Sequence, residues 1–321
     1  MALERLTEPR RGGRPDDLLA FLCVRNERPL LQHWLAHHRA LGIDEFIVVD
    51  NGSSDGTTEL LSSQPDVRLF FTEDSYGASG CGMDWIHSLL NEHASGHWAL
   101  VLDADELFLY PGCEQLSLRD FVGYLEQVQV DGLGGFLLDM YSDAPIAETR
   151  LESSGELLRA CPFFDGDTYD FLQPGASLSP EHFRGGPRKR AFWAGRGRDL
   201  PPPYLGKIPF VKWHAGRAYK ASTHLIECEK LALETCVLLH FKFLSGFSES
   251  AAREVERKEH WNGAIQYRSY LEIVSEDREL NLFYPGSVRF TGTGQLIERG
   301  FMRSSSSLDR VCALRGRAPS R

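Results

Sequence analysis

Apolar and polar positions fall into alternating blocks over residues 18–105. Residues 18–24 (LLAFLCV) form an unbroken apolar run, the pattern of a strand buried on both faces. From Arg28 to Gly42 the period lengthens: Leu30, Leu31, Trp34, Leu35 and Leu41 fall near one helical face. Pro29 suits the first turn of that helix and Gly42 its stop. Strand patterns return at residues 45–49, 67–71 and 97–102, with helical stretches at residues 57–62 and 80–93 between them. Strands alternating with helices predict an α/β fold, a doubly wound, mostly parallel sheet flanked by helices. In such sheets ligands gather at the C-terminal ends of the strands.

Further along, residues 117–129 read as a helix, 134–141 as a strand, 235–242 as a strand and 248–260 as a charged helix. Residues 160–215 are rich in Gly, Pro, Arg and aromatics without a clear period, too long a stretch for a passive loop. The polar segments 1–15 and 303–321 are expected to be unstructured.

Composition narrows the function. The 321 residues carry a net charge of −10, which argues against nucleic acid as a partner, since that needs clustered cations. The seven cysteines are scattered, with no CxxC pair, as in a reducing compartment. The N-terminus lacks the apolar core of a signal peptide, and no run reaches the roughly 18 apolar residues of a membrane span. These features point to a cytoplasmic protein and leave peripheral membrane contact open.

Acidic residues stand at three predicted strand ends: Glu27, Asp50, and Asp103 with Asp105. Alternate positions at a strand end place Asp103 and Asp105 on one side of the chain, a hard-oxygen pair suited to Mg²⁺ or Mn²⁺ together with substrate phosphates. A bare DxD is common by chance, and helix-capping aspartates in a solvated turn are the bland alternative. The turn from Asp50 to Thr57 packs glycines, hydroxyls and carboxylates. Asp50 there can accept from a ribose hydroxyl or a base N–H, while Ser54 or Asp55 can cap the next helix. An EF-hand is excluded because Gly52 falls where the third loop position needs an oxygen ligand. Arg25-Asn26-Glu27 stands where a dinucleotide fold carries GxGxxG, which disfavours a dehydrogenase.

Val24-Arg25-Asn26-Glu27, Asp50-Asn51-Gly52-Ser53-Ser54-Asp55-Gly56-Thr57 and Leu102-Asp103-Ala104-Asp105-Glu106 together resemble the successive motifs of family 2 glycosyltransferases. The nearest branch is the bacterial one reading RNE, DNxSxDGT and DxDE. The resemblance covers residues 18–145 and loosens beyond. It implies a GT-A fold, a nucleotide-diphosphate sugar donor, Mn²⁺ or Mg²⁺, transfer to a glycan or lipid-linked acceptor, a place in polysaccharide biosynthesis, and inversion at the anomeric carbon. Residues 16–145 would then be the nucleotide-sugar-binding half and 146–302 the acceptor-binding half of one domain. The resemblance makes Arg25, Glu27, Asp50, Asn51, Ser53 and Asp103 the donor-binding set, with Asp103 and Asp105 at the metal. The chain departs from the family pattern at Asn51, where a second aspartate often stands, and it lacks an obvious ED or QxxRW motif.

His240 lies in an apolar strand, where a lone histidine is as often a core residue as a ligand. GT-A enzymes often add a late histidine to the metal, which makes His240 the third metal ligand, ahead of His214; His224 reads as structural. The basic stretch Arg184 to Arg190 can close on a diphosphate or sit as a solvated loop. An inverting transfer needs a general base near the acceptor hydroxyl. Asp143 is the candidate, with Asp139 beside it, although a turn-forming aspartate is the plainer reading of Asp143. Two other classes stay open: a nucleotidyltransferase acting on sugar phosphates, and a non-catalytic carbohydrate-binding relative.

Overall fold

A computed structural model describes residues 3–9, 14, 16–151, 156–172, 183–195, 201–220 and 222–315. The chain opens with β1 (Glu4–Arg5), β2 (Leu19–Val24), α1 (Arg28–Leu41), β3 (Glu45–Asp50), α2 (Thr57–Ser62), β4 (Val67–Phe71), α3 (Met83–His93) and β5 (Trp98–Val101). It continues through β6 (Glu106–Leu109), α4 (Leu118–Gln127), β7 (Gly132–Asp139), α5 (Leu157–Ala160), β8 (Phe163–Asp165), β9 (Gly206–Lys212) and β10 (Cys236–His240). The last elements are α6 (Phe247–Arg257), α7 (Trp261–Glu276), β11 (Ser287–Arg289), α8 (Thr293–Glu298) and α9 (Ser306–Arg315).

One nine-stranded sheet dominates, in the order β1-β4-β3-β2-β5-β9-β7-β10-β6. β2, β3, β4, β5, β7 and β10 run one way, and β1, β6 and β9 run the other. The sheet is therefore mostly parallel, as the alternating pattern predicts, and helices cover both faces. On one face Leu31, Trp34 and Leu35 of α1 and Phe121 of α4 pack with Ala20 and Leu22 of β2. On the other, Trp85, Ile86 and Leu89 of α3 pack with Leu19 and Phe21. Trp34 meets Phe46 edge to face at 5.5 Å, and the Gly42 N–H closes α1 on the His38 and Arg39 carbonyls at φ 105°.

Several elements differ from the sequence pattern, each for a local reason. α3 starts at Met83 because Gly80, Cys81 and Gly82 all take positive φ. β9, missed in the aperiodic stretch, carries Pro209, which is disfavoured inside a sheet. The β7–β9 register slips between Leu133 and Gly135 at this point, so the proline sits at an irregularity. Gly135 is obligatory: a Cβ there would lie 2.1 Å from the Cys236 carbonyl oxygen on β10.

The polar ends are also more ordered than composition suggests. β1 pairs antiparallel with β4, and the Thr7 hydroxyl donates to the Val67 carbonyl at 2.9 Å. α9 forms within the expected tail because Leu308 is buried in the main core. Residues 1–2, 10–13, 15 and 316–321 of those ends lie outside the described residues, as do 173–182 and 196–200 of the aperiodic stretch.

Candidate active site

The six co-directional strands deliver their C-terminal ends to one edge of the sheet. Register fixes three side chains there. His240 at the end of β10 is the Cα partner of Asp139 on β7 and of Glu106 on β6. The Phe241 N–H donates to the Asp105 carbonyl at 2.8 Å, which holds the DxD turn against the end of β10.

The side chains close the arrangement. His240 Nε2 lies 3.1 Å from Asp105 Oδ2, and Nδ1 lies 2.6 Å from Asp139 Oδ1. Arg188 forks onto Asp139 through Nε and Nη2 at 2.7–3.0 Å, and Nη2 also comes within 2.9 Å of His240 Nδ1. Burial opposes charge on His240, but Asp105 and Asp139 prevail and lift its pKa above the ordinary histidine value. Burial likewise opposes ionisation of Asp105, and His240 with Lys242 and Lys207 holds it well below the usual carboxylate range. Asp139 is also lowered: Arg188 and His240 outweigh its burial.

Asp105, Glu106 and His240 present ligand atoms all within 4.8 Å of one another, the one such group among the described residues. Two carboxylates and an imidazole fit a divalent ion, and the nitrogen favours Mn²⁺ over Mg²⁺. Asp139 on the far ring nitrogen is the partner that a metal-bound histidine uses to present its other nitrogen. Lys207, buried on β9, restricts the set: its ammonium contacts Glu106 at 2.5 Å and Asp103 at 2.7 Å. Asp103, expected at the metal, is not a member of that group, and its carboxylate pairs with Lys207.

The other expected donor-binding residues sit on the neighbouring strand ends. Asp50 is wholly buried; Oδ1 accepts from Ser53 N–H at 2.9 Å and Oδ2 from the Thr58 hydroxyl at 2.5 Å. Asn51 donates to the Thr72 and Asp74 carbonyls, and Ser53 Oγ accepts from Asn26 N–H. These three build the turn, and Arg25 braces it by donating to the Asn51 carbonyl at 2.5 Å. Glu27 faces the metal group: burial, then the Asp105 charge, pushes its carboxyl up to about 8.

The start of the α6–α7 link closes over this edge. Glu259 accepts from the Ser75 hydroxyl and from Gly77 N–H, and Arg257 reaches Asn51 Oδ1 at 3.4 Å. The His260 ring lies between Tyr76 and Tyr267, at 5.2 and 4.8 Å.

Other candidates lie elsewhere. Asp143 is exposed in the loop after β7; its side chain meets Ser142, and its carbonyl accepts from Asn281. That is a turn-building position outside the Asp105–His240 group. His214 follows the end of β9, which runs opposite to β10, and so lies at the far edge of the sheet. His224 bonds the Gly206 carbonyl at 2.5 Å, a structural role. The basic stretch is not a free clamp: Arg184 donates to the Pro202 carbonyl, Arg188 pairs with Asp139, Lys189 with Asp170 and Arg190 with Asp165. A cavity of about 470 Å³, lined by Arg14, Glu45, Arg68 and His93 among others, opens beside the N-terminal ends of β2 and β3, away from these carboxylates.

Sequence reasoning missed Lys207 and Lys242, and named Glu106 only within its motif and Arg188 only within the basic stretch. Lys207 left one signal, a lone cation in the apolar stretch Leu205 to Val211.

Residues 20–118, from β2 to the start of α4, match the model for glycosyl transferase family 2. Over 126 residues the chain is 25% identical to a family 92 glycosyltransferase of Ricinus communis, covering 37% of this chain and 22% of that one. A second, from Oryza sativa subsp. japonica, is 27% identical over 107 residues, covering 31% and 18%. A third, from Arabidopsis thaliana, is 24% identical over 158 residues, covering 46% and 26%. The chain thus spans about a quarter or less of the length of the curated relatives it matches. Among solved structures it is similar to S. aureus TarS 1–349 in complex with UDP, at 16% identity and a TM-score of 0.29, over 39% of this chain and 36% of that one. For S. aureus TarS the figures are 14% and 0.34, over 83% and 44%. Among the described residues no helix is long and apolar enough to cross a membrane.

Proposed function

We propose that the chain transfers a sugar from a nucleotide-diphosphate sugar to an acceptor hydroxyl at the Asp105–His240 edge of the sheet. The observation that carries this is the pairing of His240 Nε2 with Asp105 Oδ2 at 3.1 Å, with Asp139 on the far ring nitrogen. The family 2 match over the motif-bearing strands supports the same reading. Asp105 and His240 would hold Mn²⁺ or Mg²⁺, and the bound ion would act as a Lewis acid toward the diphosphate.

The protein's own groups do the rest. Asp50, Asn51 and Ser53 shape the turn that receives the nucleotide, with Arg25 bracing it. Glu27 and Asp103 offer oxygen atoms to the ribose or base. Arg188 and Asp139 fix the His240 ring. Asp143, on the same strand-end edge, is the proposed general base for the acceptor hydroxyl, with inversion at the anomeric carbon. A glycan or lipid-linked acceptor, brought by peripheral contact with the cytoplasmic membrane face, fits polysaccharide biosynthesis. The test is nucleoside diphosphate release across a panel of nucleotide sugars, with Mn²⁺ and with excess EDTA. Metal-dependent release from one donor is expected; release unaffected by EDTA, or none from any donor, overturns the reading.

A further inference from the structure

We propose that Lys242 is the cation that receives the diphosphate of the donor, next to the divalent-ion position. The inference rests on the reading of the site as one for a nucleotide-diphosphate sugar. Lys242 lies two residues beyond His240, and Phe241 between them is buried in the core. Alternation along the extended chain therefore turns Lys242 back to the side of His240. Its neighbours agree: Asp105, Tyr267, Tyr270 and Arg188 all act electrostatically on the ammonium.

Three cations gathered at this edge have acidic partners, and Arg25 is engaged by the Asn51 carbonyl. Lys207 holds Asp103 and Glu106, Arg188 holds Asp139, and Arg257 holds Glu254. Lys242 is the exception. Among the described residues its ammonium makes one hydrogen bond, to Tyr267 Oη at 3.4 Å, and no carboxylate comes within ion-pair distance. The ammonium rests over the Tyr267 ring, 4.9 Å from the centroid, which fixes it in place without neutralising it. An ammonium has three donors, so two remain unspent. Asp105 is committed to His240 and to the ion position. A half-buried cation with spare donors beside a divalent-ion site fits an anion that also reaches the ion, and a diphosphate does both.

In the reaction the bond from the anomeric carbon to the β-phosphate oxygen breaks and its electron pair stays on that oxygen. The acceptor oxygen bonds to the anomeric carbon, and its proton passes to the base. Lys242 keeps its proton throughout and stabilises the charge gained by the leaving diphosphate.

The test is calorimetry on the full chain with two probes, Mn²⁺ alone and inorganic pyrophosphate in saturating Mn²⁺. Lys242→Met should weaken pyrophosphate by about tenfold or more. The same variant should bind Mn²⁺ alone at least as tightly as wild type, because a like charge has been removed. Lys242→Arg should retain most pyrophosphate affinity. If Lys242→Met is unfolded by circular dichroism, Lys242→Gln carries the same expectations and decides. Unchanged pyrophosphate affinity, or parallel loss of Mn²⁺ binding in a folded variant, overturns the role given to Lys242 while leaving the transferase reading intact. A wild-type chain that binds neither probe overturns both.

Discussion

The Lys207 ammonium meets the Glu106 carboxylate at 2.5 Å, with 2% and 1% of the two side chains exposed. A buried pair of this kind is costly to break from one side, because the survivor is left as an uncompensated charge. Lys207→Met should destabilise the fold by about 3–5 kcal/mol in urea unfolding. Adding Glu106→Gln should recover part of the loss. A double variant no more stable than the single one would show that the two charges are not coupled.

Glu27 gives a pH signature. Its folded value of about 8 lies above the ordinary 4.5, so the neutral carboxyl contributes stability that is complete below about 4.5 and is lost as pH climbs through about 8. In EDTA, wild type should lose more melting temperature between pH 6 and pH 9 than Glu27→Gln does. Equal losses would place Glu27 in contact with solvent.

His240 gives a second signature, read in the metal. Its pKa is raised, and the Nε2 proton must leave before that nitrogen can ligate. Mn²⁺ affinity should therefore fall about tenfold per pH unit below the His240 pKa, and the break should lie above the ordinary histidine value. Calorimetry in buffers of different ionisation enthalpy should find about one proton released per ion at pH 6.

Asp139 contacts the His240 ring, so under the proposed function it would act on a bound ion through the imidazole. Asp139→Asn should lower Mn²⁺ affinity by about 10–100-fold without removing a ligand. An unchanged affinity, measured by calorimetry, would limit Asp139 to anchoring Arg188.

Under the proposed function, two aspartates separate ion binding from acceptor activation. Asp105→Asn should abolish both donor hydrolysis and transfer. Asp143→Ala should suppress transfer while leaving nucleoside diphosphate affinity unchanged. Full transfer by the Asp143 variant would assign the base elsewhere.

The strands from β2 to β5 were legible because each is a short apolar run closed by an acid or a turn. Asp105 and His240 could be named from strand position and family resemblance. Their neighbours could not. Glu106 closes the DxDE motif without a role of its own, and only its register with His240 shows that it faces the site. Lys207 lies on a strand that Pro209 disguises. The RGGPRKR stretch looks like a free basic loop because the aspartates that bind it, Asp139, Asp165 and Asp170, are far away in sequence. Asp50, Asn51 and Ser53 read as ligand contacts from sequence, and the structure adds the bonds they make to Thr58, Thr72, Asp74 and Asn26.

The position of β10 between β7 and β6 has a consequence for how the protein folds. During synthesis Asp105 emerges long before His240, and β7 and β6 can pair with β10 only once that late segment arrives. Closing so long a loop is slow, and until it closes two strand edges stay open to wrong partners. Divalent-ion binding through His240, where the proposed function holds, would report on the last stage of sheet assembly. A chain cut before residue 236 would keep every N-terminal motif and still lack the imidazole of the Asp105–His240 group.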